Sequence, residues 1–432
     1  MVPFGPAFRL RQSVRGNLWL LPAIGVVVGV LAADVLGSLQ DVLGVAVLVT
    51  YSASAADSIL SAIIGATAAL TGFVVTVVVL AVQMATGTFS ARYLRLWYRD
   101  RLLKVLLSAL IGTLAFSFTA IRQVSDDSVP SLEVTLSVAA TIGCLLLFVV
   151  FLDRFLHRLR PVAVAAYVAA EGERALARWQ RLARDPRVAS TIPDGLGGTP
   201  GLTVGAERAG TVQAIDVAGM VALADRFACT IVLVRPIGDF VPAGAPVVEV
   251  FGERLPPFVA RRLASMVALG VERTIEQDPA FAVRIMVDVA ARALSPAVND
   301  PTTAVQVLDH LAAFLRRVGT DHPRRLAESA GSIASAGDAG CVIVPQRTWE
   351  AYLDLGLTEI REFGATSIQV VRRMRALLLE LEGLVPDTLR PPIRAQLVRL
   401  DATVARAFGG TEDEDLAMQP DTQGIGGPHR QA

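Results

Sequence analysis

The stretch that decides the fold is SILSAIIGATAALTGFVVTVVVLAVQMA, Ser58 to Ala85. It carries no charged residue and exceeds the roughly 20 apolar residues that cross a bilayer core as a helix. Along it, small or weakly polar residues recur at alternating steps of four and three: Ser58, Ala62, Gly65, Ala69, Gly72, Thr76, Val79 and Gln83, continuing to Thr86 and Ser90. Isoleucine, leucine and valine fill most other positions. The stripe has two readings. One is a tight helix–helix seam within a subunit, since small residues let backbones approach where lipid supplies no hydrophobic drive. The other is a pore-lining face, with Thr76, Gln83 and Thr86 offering oxygens to a permeant species. At 1.5 Å per residue, Ser58 to Ser90 would reach about 50 Å, so the lower end is expected to protrude from the bilayer.

Three more segments are long and apolar enough to span: Leu18–Leu39, Leu102–Ile121 and Leu132–Leu152. The piece Val42–Tyr51 is too short to cross alone and either extends the first span or lies at the outer surface. Basic residues fall before the first span (Arg9, Arg11, Arg15), between the second and third (Arg92, Arg95, Arg99, Arg101, Lys104) and after the fourth (Arg154, Arg158, Arg160). The other two connections carry Asp34, Asp41, Asp57, Asp126, Asp127 and Glu133 against Arg122. Because Lys and Arg concentrate on the cytoplasmic side, both termini are expected there, in a bacterial inner (plasma) membrane. The segment after the second span, FSARYLRLWYRDRLLK, is amphipathic. Arg92, Arg95 and Arg99 oppose Phe89, Tyr93 and Leu96/Trp97, which suits anionic lipid headgroups or ordinary positive-inside flanking. No ionic residue lies at the centre of a span, which argues against a proton or ion-pair relay.

The rest of the composition agrees. Of the 432 residues, 53% are hydrophobic and 19% charged, where soluble domains carry about 25% charged residues. Forty basic and 40 acidic side chains cancel, so no net field favours nucleic acid. Lys104 is the sole lysine, which excludes Schiff-base chemistry, a P-loop lysine and a lipoyl or biotinyl arm in the soluble part. Cys144, Cys229 and Cys341 form neither a disulfide framework nor a zinc signature, and His157, His310, His322 and His429 make no ligand pair. No metal, cofactor or catalytic constellation is expected, and hence no enzyme.

The expected fold is an α-helical integral membrane protein with four transmembrane helices and a mixed α/β cytoplasmic domain containing a small β-barrel-like module and helices. Residues 1–156 form the transmembrane domain, with spans near 18–39, 58–85, 102–121 and 132–152. Residues 157–208 are a helix (Pro161–Ala183) and a Gly/Pro-rich connector. In 209–252, strands Thr211–Ile215, Thr230–Val234 and Pro246–Val250 surround a helical piece at Met220–Arg226. The turn Gly238-Asp239-x-Val241-x-x-Gly244 resembles that of barrel-sandwich, biotinyl-like modules, here with no lysine to modify. Residues 253–409 are mainly helical: Pro257–Glu276, Phe281–Ala293, a helix starting at the Asp300-Pro301 cap, then Thr348–Phe363, Ser367–Glu382 and Pro391–Phe408, with a strand at Cys341–Pro345. Ser295, Asn299, Asp300 and Thr303 crowd one helix break, as a turn and cap or as a small ligand site. Residues 410–432, poor in core residues, are expected to be disordered.

Three stretches, TGFVVTVVVLAVQMATGTFSARYLRLWYRDR (Thr71–Arg101), RALSPAVNDPTTAVQVLDHL (Arg292–Leu311) and LGLTEIREFGATS (Leu355–Ser367), resemble a family of bacterial predicted membrane proteins, the domain of unknown function numbered 2254. With the order of elements the resemblance covers about residues 10–410, and SPAVNDPTTA is its most specific part. It implies the topology and the cytoplasmic domain, and no established activity. This chain has Ala91 where the family often carries proline. The leading functional expectation is an oligomeric channel or transport-type protein with a cytoplasmic regulatory domain, in which subunits share the pathway. The alternative is a membrane-anchored sensor or scaffold whose soluble domain binds a ligand or protein without catalysis.

Overall fold

The computed structural model describes residues 4–43, 49–88, 100–126, 128–158, 160–182, 184–190, 198–252, 255–333 and 340–425. The chain forms two compact units: Gln12–Gly87 with Ala91–Arg160, and Met1–Arg11 with Thr88–Ser90 and Pro161–Ala432. The basic flank before the first span is itself helical, as α1 (Phe4–Gly16).

The first unit holds α2 (Leu20–Leu43), α3 (Ala53–Thr88), α4 (Arg101–Ile121) and α5 (Ser131–Arg158). Each contains a segment long and apolar enough to cross a membrane: Leu20–Ser38, Ala53–Gln83, Arg101–Ile121 and Ser131–Phe155. Asp100 caps α4, its carboxylate accepting from the Leu102 and Leu103 amides at 2.7 and 3.3 Å. The backbones of α2 and α4 come closest. A Cβ on Gly29 would lie 2.3 Å from the Gly112 carbonyl oxygen, and one on Gly25 2.5 Å from that of Ser108. The Ser108 hydroxyl donates to the Leu21 carbonyl at 2.9 Å. Between α4 and α5 the Ser117 hydroxyl donates to that of Ser137 at 3.2 Å, and Thr113 meets the Cys144 thiol at 3.6 Å. By contrast, α3 packs with large side chains. Val74, Leu70 and Val78 join a cluster with Leu103, Leu106, Leu110, Cys144 and Phe151, and Phe73 meets Phe148 edge-on at 5.9 Å.

The second unit is α/β. A five-stranded sheet runs β1 (Val188–Ala189), β8 (Cys341–Ile343), β4 (Thr230–Leu233), β6 (Pro246–Phe251), β2 (Leu202–Gly205). The β1–β8 and β8–β4 pairs are parallel, and the β4–β6 and β6–β2 pairs antiparallel. A three-stranded antiparallel sheet runs β5 (Phe240–Val241), β3 (Gly210–Ile215), β7 (Val267–Gly270). Helices α7 (Val217–Phe227) and α8 (Pro257–Met266) close a core of Met220, Val221, Ile231, Val248 and Leu263. Phe8 of α1 buries against Ala214 and Ala268, with Phe4 beside it. The remaining helices are α6 (Pro161–Leu182), α9 (Pro279–Ala293), α10 (Pro301–Ile333), α11 (Trp349–Phe363), α12 (Ile368–Leu384), α13 (Arg390–Phe408) and the single turn α14 (Glu414–Ala417).

Three expectations are corrected. Among the described residues no closed barrel forms: β8, from beyond residue 340, inserts between β1 and β4, and the larger sheet is open with β1 and β2 as its edges. The helix expected over Pro257–Glu276 stops at Met266, because Val267–Gly270 pairs with β3, Val212 opposite Leu269 and Ile215 opposite Val267. Residues 410–425 are ordered on α12, with Ala417, Asp421 and Gly424 buried. The last seven residues of the expected tail, 426–432, lie outside the described residues.

Candidate functional site

The small-residue stripe of α3 does not form a seam with the other spans of the chain. At about 100° per residue, Ser58, Ala62, Gly65, Ala69, Gly72, Thr76 and Gln83 fall within about 40° of one line along the helix. All seven are exposed. The buried residues of α3 (Ala56, Leu60, Ile63, Thr67, Val74 and Ala81) fall on the opposite side. Nothing lies within 4 Å of a Cβ built on Gly65 or Gly72. Among the described spans, small residues make a tight seam between α2 and α4 instead, through Gly25, Gly29, Ser108 and Gly112. Two small residues four apart on each helix were the signal for it. The Thr76 hydroxyl donates to the Gly72 carbonyl at 2.9 Å, which leaves its oxygen able to accept from outside the helix. Thr86 lies within α3, but its side chain is outside the described residues, as are Ser90 and the lipid-facing candidates Arg92, Arg95 and Arg99.

The break between α9 and α10 is a well-made cap. Asp300 accepts from the Thr303 amide at 3.0 Å and from the Thr303 hydroxyl at 2.5 Å, and Pro301 begins the helix. The Ser295 hydroxyl donates to the Arg292 carbonyl at 2.7 Å. Asn299 takes the left-handed conformation, φ 48°, which its short amide side chain tolerates. Each polar group with a described partner is thus used locally. A cap of this kind contributes about 1 kcal/mol, and the four residues assemble as a turn.

Among the described residues no three His, Cys, Asp or Glu side chains gather to hold a metal ion. Cys229, just before β4, and Cys341, which opens the neighbouring β8, lie on opposite faces of the sheet. Thr230 is the register partner of Cys341, and Cys229 joins the main core while Cys341 packs with Ala189, Val232 and Ile343. Burial pushes both thiols up from their ordinary range, so neither is a ready nucleophile.

A charged cluster with little trace in the sequence lies at the start of α9. Asp278 is 3% exposed, caps α9 by accepting from the Phe281 amide at 3.1 Å, and takes both the Nε and an Nη of Arg273 on one oxygen at 2.9 and 2.7 Å. Gly238 makes room: a Cβ there would lie 2.3 Å from the guanidinium and 2.4 Å from the carboxylate, and its φ is +94°. Next to it, the Gln277 side chain pairs with both backbone groups of Ile215, and the Trp179 indole donates to the Gln277 carbonyl at 2.5 Å. This corner ties α6, β3 and α9 together. The Asp-Pro dipeptide at 278–279 was its sequence trace.

Four apolar helices joined to an α/β unit without a metal-binding or nucleophilic cluster among the described residues define a multi-pass membrane protein. The comparisons agree. The family model of predicted membrane proteins designated DUF2254 matches residues 15–380, and the chain belongs to that family. It is 27% identical over 434 residues to an uncharacterised protein of Mycobacterium tuberculosis and equally to one of Mycobacterium bovis, covering 94% of this chain and 79% of each relative. No solved structure matches.

Proposed function

We propose that the protein is an oligomeric channel or transport-type protein of the bacterial inner membrane, in which the exposed small-residue face of α3 is shared between subunits. The observation that carries this is the placement of the stripe on the side of α3 that the chain's other spans leave uncovered. A helix facing only lipid has no need of seven small or polar positions along one line. Small residues on that side leave clearance for a neighbouring subunit or for a permeant species. Four spans rarely enclose a pathway alone, so the reading has subunits share it. The α/β unit is assigned a regulatory role and no catalysis. Both termini are placed in the cytoplasm on the basic flanks, and Arg92, Arg95 and Arg99 are assigned to anionic headgroups.

The test is ion flux in proteoliposomes, with Thr76→Val and Gln83→Leu compared against the unsubstituted chain. A pathway along α3 makes both substitutions change flux or selectivity while the oligomer stays intact. A water-soluble thiol reagent should also modify the Thr76→Cys variant in its assembled form. Absence of flux across ions, voltages and osmotic steps, together with a Thr76→Cys variant that the reagent does not reach, would favour the anchored sensor or scaffold. For orientation, a membrane-impermeant reagent should label Ser128→Cys from the outer side; labelling from the cytoplasmic side alone would reverse the topology.

A further inference from the structure

We propose that a strip of arginines and exposed apolar side chains on the α/β unit, running along α8 from the end of α7 to α1, docks on anionic lipid headgroups of the bilayer that anchors the chain. The strip begins where two helices meet. Phe227, the last residue of α7, and Phe258, in the first turn of α8, bring their ring centroids to 6.2 Å, and Phe258 is 51% exposed. The Arg226 guanidinium lies 5.5 Å from the centroid of the Phe227 ring. Along α8, Phe258, Arg261, Arg262 and Ser265 share about 100° of arc, while Val259, Leu263 and Met266 turn into the core. The strip then passes onto α1. Gly5 backs onto the Ser265 and Val267 carbonyls, and Arg9 borders the same small cavity as Ser265. Phe8 buries into the three-stranded sheet, and Leu10, on the far side of α1, is 66% exposed.

Charge, side-chain chemistry and chain length together point to headgroups. Arg9, Arg226, Arg261 and Arg262 are exposed, and none of the four is in an ion pair with a described residue. Elsewhere in this unit Arg187, Arg284, Arg373 and Arg375 each hold a carboxylate. Beside the strip, Asp225 is taken by Arg187 at 3.1 Å, and Glu207 borders the cavity at the Arg9 end. Unpaired guanidiniums interleaved with exposed apolar side chains match a surface that presents phosphate first and hydrocarbon beneath it. A nucleic acid would supply the phosphates but leave Leu10 without a partner. The surface is also within reach. Helix α1 ends at Gly16 and the first membrane-crossing segment starts at Leu20. Arg9 therefore lies at most about 25 Å from the start of that span. The inference holds on either side of the bilayer and needs no pathway along α3.

The experiment places a nitroxide label at Ser265→Cys in the full chain, with Val398→Cys on α13, which is 67% exposed, as the reference. The unsubstituted chain, carried through the same labelling, corrects for the native cysteines, two buried and one half-buried. Each protein is reconstituted in nanodiscs of phosphatidylcholine, alone or mixed with phosphatidylglycerol. Collisions with oxygen, which concentrates in lipid, and with a neutral water-soluble nickel chelate report the surroundings of the label. In the mixed nanodiscs the Ser265→Cys label should lose nickel contact and gain oxygen contact, while the Val398→Cys label stays in water in both. An arginine near an anionic surface contributes about fivefold, so Arg261→Gln with Arg262→Gln should lower the docked-to-free ratio on the order of thirtyfold. Raised salt should act in the same direction, and the thermal midpoint should not move. A Ser265→Cys label as wet as the Val398→Cys label in phosphatidylglycerol nanodiscs would overturn the proposal. So would equal shielding without anionic lipid, which would mean a protein contact, or shielding only by an added oligonucleotide, which would mean nucleic acid.

Discussion

Gly29→Leu is expected to abolish recovery of folded protein, whereas Gly72→Leu is expected to leave the fold of the single chain intact. A first side-chain carbon at Gly29 already lies 2.3 Å from the Gly112 carbonyl oxygen, a backbone atom that no rotamer change can move. The two helices would have to separate along the whole contact. That would also pull the Ser108 hydroxyl from the Leu21 carbonyl and open the approach of Gly25 to Ser108. In lipid no hydrophobic drive holds the two helices together, so the close backbone packing and the hydrogen bond that the substitution removes are what keep them paired. Overpacking a dense interior costs about 1–3 kcal/mol even where side chains give way, and a backbone contact lies at or beyond the upper end. Gly29→Ala should therefore already lower the detergent thermal midpoint, and Gly112→Leu should fail like Gly29→Leu. At Gly72 nothing lies within 4 Å. Fluorescence-detected size exclusion of the three leucine variants separates these outcomes: a Gly72→Leu chain that is lost as completely as Gly29→Leu would contradict the packing described. A Gly72→Leu chain that folds but runs as a smaller species would locate the subunit contact on α3.

The contrast between those glycines shows what the sequence could and could not reveal. Span positions were legible because hydropathy over about 20 residues is a local property. The helix faces were not, since Gly25-x-x-x-Gly29, Ser108-x-x-x-Gly112 and the α3 stripe are the same signal, and which one meets a partner depends on the tertiary arrangement. The strand Val267–Gly270 was missed for a related reason. Its Leu269 continues the helical spacing of Leu263 and Met266, and only pairing with β3, more than 50 residues earlier, makes it extended. The order of the larger sheet was equally remote, since β8 arrives beside β4 from about 100 residues away. Residues 410–425 read as unstructured because their contacts run through carbonyls and amides, which composition does not register. At the helix break, in contrast, Asp300-Pro301 and Thr303 announced their role in four consecutive residues, and the geometry is that of the cap they spell.

Arg273→Met is expected to be the most damaging substitution in the soluble unit. It leaves Asp278 buried with the Phe281 amide and without the guanidinium that takes up one of its oxygens. Breaking a buried pair on one side costs about 3–5 kcal/mol, more than removing the pair, because the stranded charge has lost both water and partner. The arginine also stacks over the Phe281 ring at 5.6 Å, so some of the loss is packing that methionine partly restores. The remainder is electrostatic and depends on pH. Burial already pushes the Asp278 carboxyl up from its ordinary value, against the pull of Arg273. Without Arg273 nothing of that strength opposes burial, and the carboxyl rises further. An acid with a raised value in the folded state holds a proton that the unfolded chain has released. Across the window between the two values stability therefore falls as pH rises. The variant should lie closest to the unsubstituted protein in acid, where the carboxyl is protonated in the folded and unfolded chains alike, and its deficit should grow as pH rises through the window. Adding Asp278→Asn removes the stranded charge and keeps a capping side chain, so the double variant should regain much of the loss and flatten the pH profile. Thermal unfolding of the full chain, followed by Trp179 and Trp349 fluorescence, reads both effects. A pH-independent deficit that Asp278→Asn fails to relieve would mean that Arg273 acts through its packing on Phe281 and not through its charge.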